Sequence, residues 1–126
     1  MKEIICTKNT PAPLGPYNQA VKINSTLYTA GQIPIDPATN EFVAGGIQEQ
    51  TLQVMKNLEQ VLKTADTSFE QVIKTTVFLA DLNAFAAFNE VYATFFNEAT
   101  APARSTVEVS ALPKGALVEI ELIAAL

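Results

Sequence analysis

The segment that most constrains this chain is Ile47–Ala65, "IQEQTLQVMKNLEQVLKTA". Ile47, Thr51, Met55, Leu58 and Leu62 recur at helical spacing, and Val54 and Val61 widen the stripe. A helix of this kind needs an apolar surface to lie on. A second helical segment, "NAFAAFNEVYATFFNEA" at 83–99, sets Phe85, Phe88, Tyr92, Phe95 and Phe96 on or near one face, with Asp81 or Asn83 as its N-cap. Most of the rest is β-patterned or turn-forming. "EIIC" at 3–6 is a short β-type run, and "TPAPLGPYNQ" at 10–19 is a proline-constrained loop. "AVKIN" and "TLYTAGQIP" form a hairpin about an Asn24-Ser25 turn, and "DPATNEFVAGG" is a turn-rich connection into the long helix. "EQVIKTTVFLADL", "RSTVEVSAL" and "ALVEIELIAAL" supply the later strands. The order β-β-β-α-β-α-β-β predicts an α+β sandwich, with both helices on one face of a mixed sheet. The last strand is more apolar than a half-solvated strand needs, so the other face is expected to pack against further subunits.

At 126 residues, 48% of them hydrophobic, the chain is read as one domain spanning 1–126. Its formal net charge of -5, with lysines scattered along the chain, gives nucleic acid little to hold. The single cysteine, Cys6, allows no internal disulfide, and "MKEIIC" is unlike a signal peptide. No apolar run is long enough to cross a bilayer. These features lead us to expect a cytoplasmic protein with no membrane partner. Histidine and tryptophan are absent. Imidazole-based catalysis and histidine-ligated metal sites are therefore excluded, and one cysteine cannot build a thiolate metal site. We expect no metal and no cofactor.

Chemistry must rest on the remaining polar groups. Arg104, in "APARSTVEV", is the only arginine. On a strand it shares a side with Thr106 and Glu108. Its planar donor pair fits a carboxylate in a way lysine cannot, although a solvated strand-end arginine would leave the same trace. In "LVEIELIAAL", Glu119 and Glu121 point one way, and either solvate that face or offer a carboxylate for proton transfer. Tyr17, after Gly-Pro, is a core-edge ring or a binding-site wall. Gly31, at a strand end, marks a bulge or turn, or lets a ligand reach backbone N–H groups.

The blocks "GPYNQAV", "LYTAGQIPIDPATNE", "TTVFLADLNAFAAFNEVYATFF" and "PARSTVEVSALPKGALVEIELIA" resemble the RidA/YjgF family, also called L-PSP endoribonucleases. The resemblance covers nearly the whole chain. It implies a chorismate mutase-like α+β fold and a homotrimer whose sheets line a central barrel, with a cleft at each subunit interface. It also implies a 2-iminobutanoate/2-iminopropanoate deaminase that hydrolyses reactive enamines and imines, such as 2-aminoacrylate and 2-aminocrotonate, released by pyridoxal-phosphate enzymes. The carboxylate-binding arginine falls on Arg104 and the water-positioning glutamate on Glu119. Tyr17, Gly31, Asn89 and the backbone N–H of Thr106 fall on substrate-binding positions. The pattern departs from many members in three places: Ala30 replaces a serine, Thr106 replaces a cysteine, and "NEATAPAR" is a shorter connection beside the cleft. A non-catalytic trimer that senses a small keto or amino acid, and a ribonuclease, are the alternative functions.

Overall fold

The computed structural model describes residues 1–126. Its main sheet has six strands in the order β1-β2-β3-β8-β6-β7. These are β1 (Glu3–Ile5), β2 (Ala20–Ile23), β3 (Thr26–Thr29), β6 (Val72–Leu79), β7 (Ala103–Glu108) and β8 (Val118–Ala125). All neighbours are antiparallel except β6 and β7, which are parallel, so the sheet is mixed. The turn-rich connection folds into a separate two-stranded ladder, β4 (Ile35–Asp36) with β5 (Glu41–Phe42). The long helix is α1 (Ile47–Thr64), and the second is α2 (Phe85–Tyr92). Helix α2 is shorter than its aromatic pattern predicts, because the chain tightens into a 3-10 turn at Ala93–Phe95. Asp81 is a cap as expected, but of the preceding 3-10 turn: its carboxylate accepts from Asn83 N–H at 2.9 Å.

The sequence stripe of α1 is the face it buries. Val54, Leu58 and Val61 have no exposed surface, and Met55 and Leu62 almost none. They meet Val118, Ile120, Leu122 and Ala124 of β8 and Val77 and Leu79 of β6 in one core, which Phe88 and Tyr92 of α2 extend. Burying each such side chain contributes about 1.5–3 kcal/mol. Phe69, Tyr92, Phe95 and Phe96 close one end of this layer with tilted and edge-on ring contacts. At the start of α1, Gly46 N–H donates to Glu49 Oε1 at 2.8 Å, and Gly45 (φ +113°) makes a turn that a side chain would strain.

The opposite face of the sheet has no layer over it. Ile4, Val21, Tyr28 and Ile123 form one cross-strand row there, with Phe78, Glu119 and Val107 in another. Ile4, Tyr28 and Val107 of these rows are exposed, as is Ile23. No helix is long and apolar enough to cross a membrane.

One polar contact ties the helix layer to the sheet. The hydroxyls of Thr75 and Tyr92 lie 2.7 Å apart in the core. Burial pushes the Tyr92 pKa up, against the lowering effects of the Thr75 bond and the Arg104 charge. Thr75→Val orphans a buried phenol and is expected to cost about 1–3 kcal/mol, whereas adding Tyr92→Phe removes both polar partners and recovers most of that loss. Urea unfolding of the single and double variants measures both values.

Candidate active site

Two clusters of candidate residues form, on opposite faces of the sheet. The first is built around Arg104. Strand β7 lies at the sheet edge, and in register with buried Thr75 its Arg104 points toward the helices. The guanidinium carbon stands 4.8 Å from the ring centre of Tyr92, 5.2 Å from Phe85 and 6.0 Å from Phe88. Arg104 Nη1 donates to Asn89 Oδ1 at 2.7 Å. Aromatic faces attract a cation, and the amide fixes one arm of the fork. No carboxylate pairs with this arginine: the one ion pair in the chain joins Lys63 to Glu59. Arg104 and Asn89 line a cleft of about 380 Å³ whose other walls include Tyr92, Phe96, Asn97 and Glu98. A half-buried guanidinium with free donors, opening into a cleft, is a receptor for an anion with two oxygens. Thr106 follows on the same side, and its hydroxyl oxygen is buried without a partner.

The second cluster is built around Glu119. Chain path explains it: β3 ends at Thr29, the backbone passes Ala30 and Gly31, and Gln32 rejoins the sheet by exchanging two bonds with Ile120, at 2.9 and 3.2 Å. Gly31 is thereby pressed onto Glu119. A Cβ on Gly31 would stand 2.8 Å from Glu119 Cδ and 2.9 Å from Cγ, and would overlap Oε2. The group that approaches this glycine within the chain is the Glu119 carboxylate, not a ligand. Burial pushes the Glu119 pKa up, and the neighbouring charge of Glu121 adds to it. Such a carboxyl holds its proton more tightly than a solvated one, which suits a group that gives and takes protons.

Tyr17 is exposed on a loop turn, where its N–H donates to Gly15 C=O at 2.9 Å; two residues on, Gln19 C=O accepts from Ala30 N–H at 2.9 Å, so the loop ends beside Gly31. Within one chain the structure thus unites Arg104 with Asn89, and Gly31 with Glu119, but does not bring the pairs together. Glu119 is two strands from β7 and faces the uncovered side. Sequence reasoning did not single out the aromatic stack beneath the guanidinium, although Phe85, Phe88 and Tyr92 recur at helical spacing. Nor did it single out Glu98, whose only trace is a charge in the short connection before Arg104.

Residues 7–126 match the family described as Endoribonuclease L-PSP. A mouse protein named 2-iminobutanoate/2-iminopropanoate deaminase is 46% identical over 98% of this chain and 91% of its own. More similar sequences carry only the name RutC family protein. Among solved structures, a conserved Rid-family protein from Yersinia pestis shares 51% identity and a TM-score of 0.97 over all of both chains. Escherichia coli TdcF with bound serine shares 44% identity and a TM-score of 0.92 over 98% of each.

The raised Glu119 pKa has a sign that can be measured. The folded chain binds this proton more tightly than the unfolded chain, so ionisation costs stability as pH rises above the ordinary glutamate value of 4.5. Glu119→Gln should therefore stabilise the fold at pH 7. The gain should vanish once pH falls below that ordinary value, as followed by urea unfolding across pH.

Proposed function

The chain belongs to the Endoribonuclease L-PSP family, the RidA/YjgF group, and from that membership we propose that it hydrolyses 2-imino acids to 2-keto acids and ammonia. The observation that carries this reading is the Arg104 guanidinium: stacked on aromatic rings, steered by Asn89, and without a carboxylate of its own. A 2-imino acid brings that carboxylate. Its fixation contributes roughly 1.5–3 kcal/mol and holds the adjacent imine carbon in one place.

The chemistry then needs few groups. A protonated imine carbon is electrophilic. Water adds to it and gives up a proton to a carboxylate, forming a carbinolamine. Proton return to nitrogen makes ammonia a leaving group, and as the C–N bond breaks the carbinolamine hydroxyl gives its own proton to the same carboxylate, leaving ammonia and the keto acid. Glu119 has the right character for these transfers, its proton affinity being raised by burial. Enamines such as 2-aminoacrylate enter by tautomerising to imines, so pyridoxal-phosphate enzymes that release them are the expected upstream partners.

Because Arg104 and Glu119 sit on opposite faces of one chain, a complete site needs two chains. We place Glu119 of the partner subunit opposite Arg104, in a homotrimer whose uncovered sheet faces meet. The exposed Ile4, Ile23, Tyr28 and Val107 support that packing. The ribonuclease suggested by the family description has little physical support here: the net charge is -5 and the only arginine is held in a small cleft.

A coupled assay tests this. A pyridoxal-phosphate dehydratase generates 2-aminoacrylate, and keto-acid release is timed with added protein. Wild type should accelerate release, while Arg104→Ala and Glu119→Ala should each be inactive. The two dead variants, unfolded and refolded together in equal amounts, should regain up to about a quarter of wild-type activity, the fraction of interfaces pairing an intact arginine with an intact glutamate. No recovery would exclude a shared site. Gly31→Ala should displace the Glu119 carboxylate and suppress turnover while leaving the unfolding midpoint nearly unchanged.

A further inference from the structure

Glu98 is the other charged residue lining the Arg104 cleft. The two do not form an ion pair, and the cleft of about 380 Å³ lies against both. The backbone at Glu98 is set by a turn. Glu98 is the second residue of that turn, in which Thr100 N–H donates to Asn97 Oδ1 at 3.0 Å and to Asn97 C=O at 3.2 Å. The Thr100 hydroxyl donates to the same Oδ1 at 3.1 Å. Ala101 and Pro102 then carry the chain directly into β7, so the turn and the arginine strand are tied at short range. Glu98 thus lines one part of the cleft and the Arg104 guanidinium another, and no ion pair joins them.

We infer that Glu98 makes this cleft bipolar, so that it selects ligands bearing a cationic nitrogen beside their carboxylate over ligands with the carboxylate alone. The inference rests on reading Arg104 as the carboxylate clamp, and it deepens the proposed function. The reactive form of a 2-imino acid is such a zwitterion, with an iminium next to the carboxylate. The 2-keto acid left after hydrolysis has lost the positive charge. Glu98 therefore favours substrate over product in one cleft and speeds clearance of the product. It also disfavours ligands whose side chain carries a second carboxylate. An exposed pair across a wet cleft is screened, so the preference is modest, about two- to five-fold at low salt, and declines as salt is added.

L-serine and L-glycerate are the probes, matched in size and differing by ammonium against hydroxyl. Both are titrated by calorimetry into full-length wild type, Glu98→Gln, Glu98→Asp and Arg104→Ala, at low and high salt. Wild type should prefer serine by about two- to five-fold at low salt and less at high salt. Glu98→Gln should bring the ratio near one, Glu98→Asp should keep the preference, and Arg104→Ala should weaken both ligands. An unchanged ratio in Glu98→Gln, equal binding by wild type, binding of neither probe, or full binding by Arg104→Ala would each overturn the inference. The turnover assay is a separate arm: a salt-sensitive serine preference without imine hydrolysis keeps the Glu98 inference and removes the deaminase.

Discussion

Strand β8 lies between β3 and β6, and its alternation organises both sides of the molecule. Val118, Ile120, Leu122 and Ala124 point into the core against α1, while Glu119, Glu121 and Ile123 point the other way. A shift of register by one residue would bury two carboxylates under the helices and expose the core's central aliphatic row. The isolated bridge from Gln32 to Ile120 depends on this register, and that bridge presses Gly31 onto Glu119. The strand that completes the hydrophobic core is thus the strand that sets the acidic candidate site.

Much of this was legible in advance. The stripe from Ile47 to Leu62 named the buried face of α1, because a single helix on a sheet leaves only one way to hide that face. The hairpin from Ala20 to Thr29 and the last strand followed from alternation and turn residues. Three features escaped. The Ile35–Phe42 ladder is two residues per strand, too short for a periodic signal. The second helix stops at Tyr92 although apolar residues continue to Phe96, since those rings serve a tertiary cluster with Phe69 and not a helical face. The irregular pairing between Val72 and Lys74 leaves Ile73 exposed, and nothing in a β-rich run marks where pairing will slip.

The candidate site was legible in its residue types and not in its geometry. Arg104 stood out because it is unique, and Gly31 because a strand-end glycine leaves the backbone open to a ligand. That Glu119 itself lies against this glycine required the sheet. Local alternation put Glu119 and Arg104 on definite sides of their own strands. Only strand order and register show those sides to be opposite faces of the shared sheet. Family resemblance carried the pairing of the two residues, and the fold sets them on opposite faces of the sheet within one chain.

The connection from Asn97 to Pro102 joins a 3-10 turn to an edge strand, and none of its residues belongs to the hydrophobic core. Its polar support is short-range, running between Asn97 and Thr100. Changes of length or charge there are mechanically uncoupled from the packing that holds the sheet and helices together. The molecule therefore separates a conservative chassis from an adjustable rim. A handful of surface positions borders what enters beside the arginine, outside the packing that supplies most of the energy of folding.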